Sequence, residues 1–259
     1  MDMPPILDNK NTSSPSVFVP SALLREARRQ KQIPETPVPS VCVLDPDGDL
    51  VRALRASGTA RRFPGWPCYH TELDIFTLAE QEIGIVGRVV GASFAVLVAE
   101  ELFASGCRLL LSMTSAGQIV PSGPPPYFVI IDRALRDEGT SYHYMPPSEF
   151  AAADPQLVLA ASNATSAAGP RVIVGSTWTT DAPFRETAEA IEAARRKGIL
   201  GVEMEAAALY AFARSADVRI LCLAHVTNTM GQDGADFEKG EADGTIDALA
   251  VLSCLIGAL

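Results

Sequence analysis

GVEMEAAALY, residues 201–210, sets two glutamates one residue apart in a run that is otherwise small and apolar. On one continuous helix Glu203 and Glu205 would stand about 200° apart around the axis, which fits neither an amphipathic stripe nor a solvated charged face. The composition changes within the stretch. Residues 201–204 read as a short strand, whereas the alanine-rich 206–215 reads as a helix. The two acids therefore stand at a strand-to-helix junction on the edge of a core, and that pair of elements is the unit of an α/β protein.

The same alternation runs outward in both directions. Strands are expected over 41–44, 74–79, 83–86, 108–113, 127–131, 171–176, 201–204 and 220–227, with 74–79 and 83–86 forming a hairpin. Helices are expected over 49–56, 92–105, 155–165, 184–197, 206–215 and 243–259. This predicts one α/β domain over residues 41–259, a mixed and mostly parallel central sheet flanked by helices, with ligands at the carboxyl ends of its strands. Residues 1–40 read as an N-terminal extension: a loose Pro/Ser/Asn-rich tail over 1–16, a helix over 20–32 capped by Ser21, and a Pro-rich spacer.

With 47% hydrophobic and 20% charged residues among 259, the chain has the composition of a globular domain with ample core. Its net charge of -10 argues against nucleic acid or anionic membrane as a partner, while leaving room for a local arginine pocket. The five cysteines are widely spaced without any C-x-x-C, and three of them, in apolar runs, read as reduced core thiols. His70, His143 and His225 lie far apart, so no metal site is expected. The N-terminus has no basic segment followed by an apolar one, and the chain has no apolar run of membrane-spanning length, so a soluble cytoplasmic protein is expected.

Four stretches carry candidate chemistry. DPDGDLVRAL (45–54) spaces Asp45, Asp47 and Asp49 like a calcium loop, but Leu50 stands where the glycine belongs and Ala56 where a glutamate would close it. It reads better as a strand-to-helix turn in which Gly48 lets a ligand approach and Arg52 reaches an anion at the helix N-terminus. VGASFAV (90–96) lacks the last glycine of a nucleophile elbow, although Ser93, Asp181 and His225 stand in a hydrolase order. SMTSAGQI (112–119) ends a strand in small hydroxyl residues suited to an oxyanion or a sugar hydroxyl. GSTWTTDAPFRET (175–187) offers Trp178 and Phe184 as faces for a flat ring and Arg185 and Glu186 for its edge; Asp181 and Pro183 equally read as an ordinary helix start.

In order and spacing these stretches resemble the nucleoside phosphorylase and nucleosidase superfamily, with its uridine phosphorylase-like members nearest in style. GVEMEAAALYAFA resembles the ribose-binding segment, GDLVR (48–52) the phosphate loop, GASFAVLVAEELFASG the glycine turn and its helix, TSAG (114–117) the central strand end, and STWTTDAPF the base-pocket loop. The resemblance covers about residue 41 to the C-terminus and implies the three-layer fold of that family. It implies that Glu205 binds the ribose hydroxyls beside Met204, with Glu203 orienting the sugar or supporting the pocket. Gly48, Arg52, Ser112 and Ser115 match phosphate-binding positions, and Arg61 resembles an arginine donated across a dimer. The base would lie against Ala116, Gly117, Trp178, Phe184, Arg185 and Asn228, and Arg52, Glu205 and Asn228 would be the catalytic set. A homodimer, or a hexamer built as a trimer of dimers, is the assembly implied. The co-substrate would be inorganic phosphate, with no cofactor or metal.

Two departures from the family pattern pull apart. Ser112 stands where uridine phosphorylases carry an arginine, which favours hydrolysis by water. Asn228 stands where nucleosidases place an aspartic acid, and an amide donates hydrogen bonds without supplying a proton, which favours phosphorolysis of a uracil-type or 6-oxopurine base. Phosphorolysis of a ribonucleoside is the expected reaction; hydrolysis, a non-catalytic nucleoside-binding protein and a serine hydrolase are its rivals.

Overall fold

The structure, a computed structural model, describes residues 4–166, 169–230 and 239–259; residues 1–3 of the expected tail lie outside them. β5 (Leu109–Gln118) is the hub of the sheet. It pairs in parallel with β1 (Val41–Asp45) on one side and β10 (Arg219–Thr229) on the other, and its last two residues pair antiparallel with β9 (Gly201–Glu203). From β10 the ladder continues through β6 (Tyr127–Asp137) and β8 (Val172–Thr180) back to β9, closing a ring. β4 (Gln81–Gly87), β3 (Asp74–Leu78) and β2 (Arg61–Arg62) extend from β1 as an open wing, and β7 (Phe150–Ala152) borders β6. Five pairings are parallel and five antiparallel. The two longest ladders, β5 with β10 and β6 with β8, are parallel, so the sheet is mixed and mostly parallel as expected.

One face of the sheet is covered by α2 (Asp49–Ala56), α4 (Pro155–Thr165) and α7 (Thr245–Ile256). The other carries α3 (Ala92–Ala104) and α6 (Ala206–Ala216). The alanines of α6 give it no bulk to hold it off the strands, and every residue from Ala206 to Phe212 is buried. Tyr210 is the one of them with a polar side chain; its hydroxyl donates to Ile131 O at 2.6 Å and accepts from Cys222 N at 3.0 Å, so its polar end is satisfied inside the core. Among the described residues no helix is long and apolar enough to cross a membrane.

α2 and α4 have the bounds the pattern predicts. α1 (Pro20–Lys31) begins with proline at its first position and Val19 as the cap, so Ser21 is not the cap expected. The helix is docked, with Leu24 and Ala27 fully buried. Strands β5, β6 and β8 run well past their expected ends, because a paired neighbour continues each ladder. The helix expected from residue 184 is interrupted. Pro183–Arg185 forms a single tight turn, and α5 (Ala188–Arg196) begins only after Thr187, whose hydroxyl accepts from Ala190 N at 3.3 Å.

Candidate active site

The junction that opens the sequence reading is where the structure concentrates buried charge. β9 ends at Glu203, Met204 bridges, and Glu205 is the residue before α6. Glu203 Oε2 accepts the backbone N–H groups of Glu205 and Ala206, both at 2.7 Å. Its Oε1 accepts the hydroxyls of Thr177 at 3.0 Å and Thr179 at 2.5 Å, which share one face of β8. A carboxylate with protein donors on all sides has nothing left to offer a sugar. Glu203 therefore holds the start of α6 in place, which leaves the supporting role, of the two the resemblance implies, as the one its partners fit.

Glu205 is 1% exposed and is held differently. Oε1 accepts Gly91 N at 2.7 Å and Oε2 accepts the Thr114 hydroxyl at 2.8 Å, so each oxygen keeps a lone pair for another donor. The glycine turn before α3 and the hydroxyl end of β5 thus meet at one carboxylate. Half-buried Met204 lies beside it. Burial, and then the neighbouring Glu203 charge, push the Glu205 carboxyl from 4.5 up to about 8.

A stability consequence follows from that shift. Between the ordinary value of 4.5 and about 8 the folded protein holds a proton that the unfolded chain has released. Stability from this group is full below the lower value and is lost as pH rises through the upper one. Thermal melts from about pH 5 to about pH 9 should show wild-type Tm falling more steeply than that of Glu205→Gln. Parallel curves would place the proton elsewhere.

The β1–α2 turn is built on Asp45, which accepts Gly48 N at 3.1 Å and Val51 N at 2.9 Å; burial raises its carboxyl to about 6. Gly48 adopts φ 79°, a left-handed value suited to glycine. Arg52 lies one turn into α2, but its guanidinium is held by Asp49 and Asp243, each at 2.8 Å. It is therefore not the free cation expected; an anion has to displace those carboxylates. Asp49 also takes Lys239 at 2.5 Å, and Asp47 accepts the Ser115 hydroxyl at 3.1 Å. The three aspartates of the calcium-like spacing are thus spent on backbone, lysine, arginine and serine.

On the base side, Asn228 and Gly117 face each other across β10 and β5, and a Cβ on Gly117 would lie 3.6 Å from Asn228 Nδ2. Ala116, next to Gly117, is buried in the core. Asn228 Oδ1 accepts the Thr227 hydroxyl at 3.2 Å, while among the described residues its amide nitrogen has only the Met230 sulfur at 3.8 Å. Trp178 is not available for stacking. Strand periodicity turns it away from Thr177 and Thr179 into a core with Ile119, Ile191 and Val202, and its indole donates to Asp137 at 3.0 Å. Phe184 is the opposite case, an aromatic ring 99% exposed, with Arg185 exposed beside it.

Ser112 is buried between β1 and β10 with no partner for its hydroxyl among the described residues, so it presents nothing to an anion from the strand end. Arg61 lies on β2, four strands from β5, roughly 19 Å away at ordinary strand spacing, and pairs with Glu82 at 2.8 Å. It does not enter the site of its own chain. The hydrolase set is dispersed as well. Ser93 lines a cleft on the α3 face, Asp181 accepts Gly139 N, and His225 is stacked on Phe128 at 4.5 Å by the α7 face. Burial and then Lys239 bring His225 down to about 4.

Thr114 and Gly91 lay within stretches marked in the sequence, but their joint hold on Glu205 was missed. Lys239 and Asp243 carry no sequence signal for the anion turn, because isolated charges in connecting segments give no spacing to read.

Residues 40–256 match the sequence profile of the phosphorylase superfamily. A DeoD-type purine nucleoside phosphorylase from Proteus mirabilis is 29% identical over 154 residues, 59% of this chain and 65% of the relative, so just under two thirds of that relative is spanned. A uridine phosphorylase from Thermococcus kodakarensis is 28% identical over 235 residues, 80% of this chain and 84% of the relative. Among solved structures, uridine phosphorylase from Vibrio fischeri superposes with a TM-score of 0.70 at 19% identity, covering 88% of this chain and 95% of that one. Its complex with 6-hydroxy-1-naphthoic acid gives 0.65 at 20%, covering 86% and 88%. The fold is shared and the profile spans most of the sequence: the chain belongs to the phosphorylase superfamily of enzymes.

Proposed function

We propose that the protein is a nucleoside phosphorylase. Inorganic phosphate attacks C1′ of a ribonucleoside, the C–N bond breaks with its electron pair on the base, and free base and ribose 1-phosphate leave. The observation that carries this reading is Glu205, a buried carboxylate clasped by Gly91 N–H and the Thr114 hydroxyl with acceptor capacity left for two sugar hydroxyls. Gripping the ribose there puts C1′ towards the anion turn, and positioning of this kind supplies much of the rate of a displacement. Asn228 donates a hydrogen bond to a carbonyl oxygen or ring nitrogen of the departing base, which suits a uridine-like or 6-oxopurine leaving group better than adenine. Phosphate is the co-substrate, and the mechanism invokes no organic cofactor or metal. A homodimer, or a trimer of dimers, is the proposed assembly, in which Arg61, remote from the site of its own chain, would serve that of another subunit.

Hydrolysis by water is the second reading, and one observation favours it: Asp47 sits on Ser115, where an anion would otherwise be received. The two are separated by incubating phosphate-free enzyme with uridine and inosine, with and without phosphate, and quantifying free base and ribose 1-phosphate. Base release that needs phosphate and yields equal ribose 1-phosphate is the expected result. Equal release without phosphate would make the protein a nucleosidase.

A further inference from the structure

We propose that Arg88 is the phosphate-gripping cation of the site, a role that rests on the phosphorolytic reading above. It follows Gly87 at the end of β4, and its N–H donates to Asp45 O at 2.9 Å, so its backbone is tied to the anion turn. Its φ is 64°, a left-handed conformation that disfavours any residue with a side chain. A strained non-glycine residue in a ligand-facing link is an observation that points to function.

The side chain lies on the anion turn itself. A Cβ on Gly48 would come within 2.8 Å of Arg88 Cγ and 3.5 Å of its Nε, so the missing side chain of Gly48 is the seat for the arginine stem. Three arginines, Arg52, Arg55 and Arg88, line the cleft beside that turn. Arg52 is neutralised by Asp49 and Asp243, and Arg55 by Asp74 and Glu72. Arg88 is exposed and its guanidinium has no hydrogen-bond or ion-pair partner among the described residues. Its five N–H donors match the oxygens of a phosphate, which a guanidinium binds through paired hydrogen bonds.

The same link leads to Glu205. It begins at Arg88 and ends at Gly91, whose N–H holds Glu205. Three residue steps span at most roughly 11 Å of backbone, so the arginine and the glycine that holds Glu205 belong to one short link. Arg88 thereby supplies from the β4–α3 link the positive charge that Ser112 does not supply from β5.

The test uses Arg88→Gly, which relieves the backbone while removing the guanidinium, together with Arg88→Ala and Arg88→Lys. Initial rates are measured against phosphate and against nucleoside, and phosphate binding to free enzyme is measured by calorimetry. Expected are a phosphate KM raised about tenfold or more in the glycine and alanine variants and partial recovery in the lysine variant. Nucleoside KM should stay within about twofold, and the Tm of Arg88→Gly should be no lower than that of wild type. If wild type is phosphate-dependent and the variants keep its phosphate KM, the role of Arg88 is overturned and the phosphorolytic reading stands. If wild type releases base without phosphate, that reading fails. Calorimetry then decides Arg88 on its own: binding lost in Arg88→Gly supports it, and equal binding overturns it.

Discussion

Replacing Glu205 with alanine should lower kcat/KM for ribonucleosides by about a thousandfold or more, a loss of about 4 kcal/mol. The size follows from what the carboxylate does. Two sugar hydroxyls donating to Glu205 favour its ionised form over the proton it holds in the free enzyme, and each such charge-assisted hydrogen bond is worth about 1.5–3 kcal/mol in a site shielded from water. The position cannot be rescued by a neighbour, because the nearest acid, Glu203, is already saturated by Thr177, Thr179 and two backbone N–H groups. A 2′-deoxyribonucleoside has lost one of the two hydroxyls, so the same substitution should cost it roughly half as much free energy. Steady-state rates on uridine and 2′-deoxyuridine, in wild type and variant, measure that difference. Turnover of the ribonucleoside within about tenfold of wild type would remove Glu205 from the ribose site. The fold should survive, since the substitution removes a buried carboxyl whose ionisation burial already disfavours.

Replacing Glu203 with alanine should act on stability instead. It strands the N–H groups of Glu205 and Ala206 and the two threonine hydroxyls inside the core. Breaking one side of a buried charged network costs about 3–5 kcal/mol, which for a chain of this size is a Tm lower by roughly 6–15 °C. Glutamine keeps the shape but turns an N–H₂ towards groups that themselves donate, so it should recover only part of the loss. Thermal melts with nucleoside titrations on the surviving folded protein separate the two roles. An unchanged Tm with collapsed nucleoside binding would return Glu203 to the sugar. Although the two acids lie one residue apart, they are assigned to different work by their partners alone.

Much of the fold was legible because its elements are short and their periods clean. The bounds of α2 and α4 follow from Asp49 after a glycine and Pro155 after an aspartate, both local helix-start signals. The far ends of β5, β6 and β8 were not legible. Residues Ser115 to Gln118 have little strand preference of their own, and the ladders with β10 and β9 keep them extended. The short strands β2 and β7 are likewise set by pairing, at Arg61 with Ile75 and Ala151 with Ala134.

The candidate site divides in the same way. Glu205, Gly48 and Asn228 were marked from residue type and order, and the structure sets each at a strand end or turn. Trp178 was marked for its chemistry and then buried by strand alternation, which a single unregistered strand does not reveal. Arg52 was marked as a free cation and is occupied by Asp243, a residue distant in sequence that only the chain's return through α7 brings near. Arg88 gave only one sign, a lone arginine in a link otherwise made of small and apolar residues.

By itself the sequence determined the class of fold, the strand-to-helix junction and the kind of chemistry, because these depend on local preference and on the identity of a few side chains. Tertiary structure decided which acid keeps acceptor capacity to spare, which arginine of the cleft is left unpaired among the described residues and which aromatic is hidden. Those outcomes depend on partners far apart in the chain. A charge is free or spent, and a ring open or covered, only once the fold has chosen its neighbours.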